Sequence, residues 1–276
     1  MQSRWFDYGG STVIRADQYI RLTSHTQQSQ AGYLYSRVPL TATNWEIEVE
    51  FKIHGTGNLF GDGMAIWVTK ERAQQGPVFG MKDKFEGLGL FFDTYKNNRP
   101  GTVFPYVMAM VGDGSTAYDQ ANDGKANELA GCSARGVRNA DFATKAKITY
   151  FQDKQLTVDL MFKKEEEWTR CFEVPGIKLP TIAYLGFSAE TGELSDNHDI
   201  VRVETKNLYS PSGQTSTGAA GSKEYSRNKG PRKPKIEKKA GTSWFWTVMR
   251  VVLFGLAVGV AYVFFTMYRA RQKDRF

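Results

Sequence analysis

The 276-residue sequence holds only two cysteines, Cys132 and Cys171, and three histidines, His25, His54 and His198. Cysteines this few and this far apart exclude CxxC redox motifs and Cys/His zinc clusters. The histidines form no credible Ser-His-Asp arrangement, and no glycine-rich phosphate loop is present. Asn-x-Ser/Thr acceptor sequences are missing, and no heptad pattern marks a coiled-coil stalk. From residue 1 to about 208 no long stretch keeps helical periodicity.

What is present points to sheets. Aromatic residues make up 13% of the chain and there are 27 glycines, which favours twisted strands closed by glycine-bearing turns. Short apolar runs such as Trp45-Glu-Ile-Glu-Val-Glu-Phe51, Met64-Ala-Ile-Trp-Val68 and Gln155-Leu-Thr-Val-Asp-Leu-Met161 alternate with turn residues. Residues 1–208 are therefore expected to form an all-β antiparallel sandwich. The net charge of +7 would raise nucleic acid as a partner. However, the excess lies in Lys223–Lys239 and in Arg269, Arg271, Lys273 and Arg275, outside the expected fold, so no nucleic-acid role follows.

Residues 209–242 are rich in Ser, Gly, Pro and Lys and read as a flexible linker, because so few apolar side chains cannot offset ordering entropy. Residues 243–268 are almost wholly apolar and are predicted to be one transmembrane helix, long enough for a core of about 30 Å. Trp244, Trp246 and Tyr268 suit the interfacial belts, and Arg250 can snorkel to the headgroups. Residues 269–276 form a short basic tail. Lys and Arg flank both ends of the span, more on the linker side, so the positive-inside rule alone leans toward a cytosolic domain. Met1-Gln-Ser-Arg-Trp5 carries no apolar h-region, which fits a tail-anchored reading.

One short run carries chemistry. Leu88-Gly-Leu-Phe-Phe92 reads as a buried strand and stops at Asp93, followed four residues later by Asn97. Two hard side-chain oxygens with a backbone carbonyl between them suit Ca2+. The same residues are ordinary turn formers after a strand. Cys132 and Cys171 allow either a disulfide or two buried thiols.

Longer motifs discriminate further. Gly61-Asp-Gly-Met-Ala-Ile-Trp67, Gly76-Pro-Val-Phe-Gly80 and Gly87-Leu-Gly-Leu-Phe-Phe-Asp-Thr-Tyr95 are followed by Phe104-Pro-Tyr106 and by Tyr118-Asp119 with Asn122-Asp-Gly124. Leu129-Ala-Gly-Cys132 and Gly192-Glu-Leu-Ser-Asp-Asn-His-Asp199 complete the series. In order and spacing this set resembles the L-type, legume-like lectins of the early secretory pathway, in particular the vesicular integral-membrane branch.

The resemblance implies a concanavalin-like sandwich binding Ca2+ and high-mannose N-glycans on secretory glycoproteins. It assigns the metal to the side chains of Asp93, Asn97 and Asp123 and the carbonyl of Tyr95. It assigns carbohydrate contacts to Asp62, Asn97, Gln120, Gly192, Glu193 and Leu194. It further implies a Cys132–Cys171 disulfide, a lumenal domain, and a signal peptide and first strand ahead of Trp5-Phe-Asp-Tyr-Gly9. The tail's Arg275-Phe276 resembles an export signal read by coat proteins, placing the chain in endoplasmic reticulum, intermediate-compartment and Golgi membranes.

Departures from the family pattern fall on the sugar side. Gln120 stands where a His follows Tyr-Asp, Glu193 replaces an Asp, and Tyr33 falls near the place of a small Ser. A Gln amide can still donate and accept. The expected function is a calcium-dependent mannose-binding cargo receptor or sorting lectin, not an enzyme. The alternatives are a sugar-free interaction partner of another receptor, or a glycosidase using Glu46, Glu48 and Glu50, whose carboxylates share one strand face.

Overall fold

The computed structural model describes residues 4–209 together with Met249 and Leu253, both helical. The chain divides into two units, Met1–Thr215 and Ser216–Phe276. The first unit holds the β-strands. Its strands run β1 (Phe6–Gly10), β2 (Val13–Arg15), β3 (Tyr19–Thr23), β4 (Ala31–Ser36) and β5 (Asn44–His54). Then follow β6 (Gly63–Thr69), β7 (Gln75–Val78), β8 (Glu86–Asp93), β9 (Tyr106–Asp113) and β10 (Ala130–Ser133). The last are β11 (Thr144–Phe151), β12 (Gln155–Met161), β13 (Thr169–Pro175), β14 (Tyr184–Glu190) and β15 (Asn197–Asn207).

All of these strands but β7 build two 7-stranded sheets, β1-β4-β14-β6-β8-β9-β10 and β13-β12-β11-β5-β15-β3-β2. Their strand pairings are antiparallel. The expected all-β sandwich is thus the observed architecture of the first unit. Among the described residues no helix is long and apolar enough to cross a membrane. The span expected at 243–268 lies, but for Met249 and Leu253, outside the described residues, as do the linker and the tail with Arg275 and Phe276.

The two sheets differ in sequence because they differ in burial. In β5, Trp45, Ile47, Val49, Phe51 and Ile53 turn inward while the glutamates between them stay half-buried. This is the period-2 pattern of a strand with one wet face. Its buried residues meet Met64, Ile66, Leu90 and Phe92 of the first sheet in a shared core. Phe51 and Phe92 lie edge to face at 4.9 Å between ring centres. Burying each such ring contributes about 1.5–3 kcal/mol. By contrast, every residue of β6 is buried. A second apolar cluster, with Trp67, Phe79, Phe85 and Phe91, covers the outer face of the first sheet. Strands buried on both faces need continuous apolar runs, which explains Met64–Val68 and Leu88–Phe92.

Glu46, Glu48 and Glu50 lie in the second sheet, whereas Asp93 ends a strand of the first. Lys206 sits 3.5 Å from Glu46, and Lys145 sits 3.6 Å from Glu48 and 3.8 Å from Glu50. Partly exposed pairs of this kind contribute about 0–1 kcal/mol each. They form a solvated charge ladder, the outer-surface alternative to a glycosidase dyad.

Candidate functional site

Three strand ends meet at one point of the first sheet. Gly63 opens β6 and pairs with Asp93 at the end of β8 and with Glu190 at the end of β14. A Cβ at Gly63 would lie 2.2 Å from the Phe92 carbonyl oxygen, so only glycine fits there. The residue before it, Asp62, follows a cis peptide. The Asp62 N–H donates to the Glu190 carbonyl at 3.1 Å, and its own carbonyl accepts Thr94 N–H at 2.9 Å and Thr94 Oγ1 at 3.0 Å. Sheet register therefore fixes Asp62 beside Asp93 without help from the loops.

Asp93 and Asp123 are only 6% and 2% exposed, which is rare for carboxylates that form no salt bridge. Asp123 adopts a left-handed conformation (φ 52°) after the short turn Gln120–Asn122. Gly124 follows, also left-handed, where a Cβ would lie 2.5 Å from the Tyr118 ring. Asn97 N–H donates to both Asp123 oxygens at 3.1 Å, and Asn97 Nδ2 donates to Oδ1 at 2.7 Å. The Tyr95 N–H donates to Asp93 Oδ1 at 3.1 Å. Burial holds the Asp93 carboxyl well above the usual carboxylate range, and the Asp123 charge pushes it further; the Tyr95 hydrogen bond and Arg99 act the other way.

Arg99, itself buried, ties the two loops together. Its Nη1 donates to the Asp123 carbonyl at 3.1 Å, its other end pairs with Glu128, and its guanidinium lies 4.4 Å from the Tyr106 ring centre. Tyr106 in turn donates its hydroxyl to Glu128 Oε1 at 2.7 Å.

Asp62, Asp93, Asn97, Gln120 and Asp123 line one cavity of about 160 Å³, together with Glu190. Phe79 and Tyr118 supply its apolar wall. A larger groove of about 960 Å³, with Trp5, Leu34, Leu40 and Ile200 in its walls, lies elsewhere and is mainly apolar. Convergence of polar groups, not size, marks the smaller cavity as the candidate site.

The structure thus gathers five of the residues expected from the sequence. Gly192 joins them at the rim, where a Cβ would lie 3.3 Å from Asp62 Oδ2. Glu193 is exposed and does not line the cavity; its carbonyl accepts Gln28 Nε2 at 2.6 Å. Leu194 is half-buried and does not line it either, nor does Tyr33, whose ring covers Gly9. Tyr95 is 39% exposed and does not line the cavity, while its backbone N–H reaches Asp93. Sequence reasoning missed Glu190, Arg99 and Glu128. Only Glu190 left a signal, as a charged residue closing the otherwise uncharged strand Tyr184–Glu190.

Among the described residues no group of three or more His, Cys, Asp or Glu side chains could hold a metal ion. The Asp93 and Asp123 carboxylates lie in one cavity with the Asn97 side chain, and carboxylate and amide groups can supply the hard oxygens that calcium takes. Two buried carboxylates, with the neighbouring Arg99 guanidinium already paired to Glu128, fit a cation between the loops.

A legume-like lectin family model matches residues 2–215. The chain belongs to the legume-like lectin family. An L-type lectin-like domain-containing protein of Schizosaccharomyces pombe is 42% identical over 210 residues, 75% of this chain and 67% of that protein. The human VIP36-like protein is 48% identical over 206 residues, 73% of this chain and 58% of that protein. The chain thus spans little more than half the length of that relative. The VIP36 exoplasmic/lumenal domain in its Ca2+/Man2-bound form superimposes with a TM-score of 0.72 at 43% identity, over 75% of this chain and 84% of that chain. The match confirms the two-sheet lectin fold.

Under the lectin domain's Gly192 loop lies a cluster of all three histidines. Asn197 Nδ2 approaches His25 Nδ1 at 2.8 Å and His54 Nδ1 at 3.3 Å, and its Oδ1 accepts the His25 N–H at 2.9 Å. Asp196, fully buried, is gripped by Arg138 at 2.7 Å. His198 is also fully buried, with Nδ1 2.7 Å from Thr23 Oγ1. Thr23 spends its own hydrogen on the Asp196 carbonyl at 3.0 Å, so His198 carries its proton on Nδ1 and leaves Nε2 unpartnered.

Burial lowers the His198 imidazole from 6.5 to about 3. A folded value below the unfolded one means that this contribution to stability is full above pH 6.5 and is lost as pH falls toward the folded value. The loss is roughly 1.4 kcal/mol per pH unit. His198→Asn should therefore narrow the stability gap to the wild type by roughly 2 kcal/mol between about pH 6.5 and pH 5, read by urea unfolding. A gap that does not change over that interval would refute the assignment.

Proposed function

We propose that the domain is a calcium-dependent lectin for high-mannose N-glycans, serving as a cargo receptor or sorting factor between endoplasmic reticulum and Golgi. The observation that carries this reading is the pair of buried carboxylates, Asp93 and Asp123, in the same small cavity as Asp62, Asn97 and Gln120. Crystal structures of the VIP36 exoplasmic/lumenal domain with Ca2+ and Man2, Man or Man3GlcNAc bound support it. The residues that would hold the ion are Asp93, Asn97 and Asp123 with the Tyr95 carbonyl. Bound calcium would supply the positive charge that lets both carboxylates stay ionised.

With that charge in place the 94–98 and 118–124 loops keep one geometry, and Asp62, Gln120 and the Asn97 amide present fixed partners to sugar hydroxyls. Preorganisation of this kind reduces the ordering cost of binding. Each hydroxyl exchanges water for protein partners at a net gain of about 0.5–1.5 kcal/mol, so single-glycan affinity is weak. Attachment to a membrane through residues 243–268 and several glycans per cargo would raise avidity. The tail's Arg275 and Phe276 would face coat proteins. The domain binds and releases glycans without a catalytic step.

The test is a glycan array probed with the full chain in calcium and in chelator. High-mannose glycans should be retained in calcium and lost in chelator. Failure to bind any mannosyl glycan in saturating calcium would leave a lectin fold without lectin activity.

A further inference from the structure

Glu190 stands in the proposed glycan site with no role yet. It is the last residue of β14, opposite Gly63, and its carbonyl receives the Asp62 N–H at 3.1 Å. Its Oε2 accepts the Gly80 N–H at 2.9 Å, which fixes the carboxylate on the cavity wall. Burial raises both Glu190 and Asp62 above their ordinary ranges, and the Asp62 charge adds to the shift at Glu190. The two carboxylates feel each other. An ionised carboxylate only accepts hydrogen bonds. Among the polar side chains of this cavity, Asn97 gives one of its two Nδ2 hydrogens to Asp123, which leaves its second N–H and the Gln120 amide as side-chain donors, with Tyr118 also in the lining. A ligand that meets the Asp62 and Glu190 carboxylates must bring its own donors to them, and a negative charge on it there faces two carboxylates that are not among the residues proposed to hold the ion, in a partly desolvated cavity.

We propose that Glu190 is a specificity-determining residue of the glycan site: paired with Asp62, it restricts the cavity to neutral, hydroxyl-donating sugars and rejects sugars bearing a phosphate or carboxylate. This rests on the lectin reading above. Mannose-type rings satisfy the wall because vicinal hydroxyls can donate to both carboxylates. A phosphorylated mannose offers acceptors to acceptors. The filter acts through charge, so it weakens as salt screens it.

The experiment uses the full chain in detergent and saturating calcium. It measures binding to a neutral high-mannose glycan and to the same glycan carrying mannose 6-phosphate. The wild type should favour the neutral glycan by at least about 30-fold at low salt, with the preference shrinking as salt is raised. Glu190→Gln keeps an oxygen for the Gly80 N–H and should lower that preference about tenfold, one charge removed. Glu190→Ala should lower it likewise, at an unchanged calcium midpoint. A preference within twofold of the wild type in both variants overturns the proposal. Loss of all binding in both variants also overturns it, since Glu190 would then be an obligate contact or a structural support. A wild type that binds neutral and phosphorylated glycans alike defeats the filter alone, whereas a wild type that binds neither defeats the lectin reading and the filter with it.

Discussion

Asp93→Asn is expected to move two measurements in opposite directions. In calcium it lowers metal affinity by at least about 100-fold, more than the 10–100-fold typical of losing an outer-shell partner, and retention on mannosyl glycans disappears. In chelator the same variant unfolds at a higher temperature than the wild type. The reason is the company Asp93 keeps. Its carboxyl is nearly buried, faces the Asp123 charge, and is held well above the usual range. An asparagine fills the same space and its oxygen can still accept the Tyr95 N–H, but it carries no charge to desolvate.

The sign with pH follows from linkage. A carboxyl raised by folding contributes stability fully below its unfolded value, near 3.9, and that contribution is lost as pH rises through the folded value. The advantage of the variant in chelator should thus vanish in strong acid and grow toward neutrality. Thermal unfolding across pH, with and without calcium, reads both effects. A variant less stable than the wild type in chelator at neutral pH would show that carboxylate repulsion does not govern this loop. Undiminished calcium affinity would remove Asp93 from the ligand set.

Much of this site is legible in the residues, and the remainder is hidden for definable reasons. Asp93 ends an apolar strand, so its position at a sheet edge follows from the run before it, and Asp123 sits in the turn-forming Asn122-Asp-Gly124. Their convergence with Asp62 follows from strand register, Asp93 to Gly63 to Glu190, which no local pattern encodes. Glu190 is obscured for that reason: in sequence it is a polar strand terminus, and only pairing with a distant strand gives it Asp62 as a neighbour. Arg99 and Glu128 are hidden in another way. Each looks like surface charge until the loops fold over and bury the guanidinium at 4% exposure. Glu193 shows the converse, a residue in the expected loop whose side chain turns to solvent while its backbone is tied to Gln28.

Cys132 and Cys171 posed a choice between a bridge and two thiols that spacing alone left open, and the structure pairs them with Cα atoms 5.3 Å apart. Their strands explain why the bridge matters. β10 is an edge of the first sheet and β13 an edge of the second, so the disulfide joins the two layers where no hydrogen-bonded neighbour closes them. The bridge spans 39 residues of chain. In the loop-entropy model, closing a loop of that length destabilises the unfolded state by about 3–4 kcal/mol. Cys132→Ser combined with Cys171→Ser should therefore lower the unfolding temperature by roughly 10 °C for a domain of this size. Full reduction of the wild type should reproduce that loss. The double variant avoids a lone reactive thiol, and reduction must not destabilise it further. A loss below about 1 kcal/mol by urea unfolding would mean that the edges are held by packing and not by the bridge. A full loss ties the stable fold to an oxidising compartment, which is an argument for a lumenal domain independent of the charge pattern around residues 243–268.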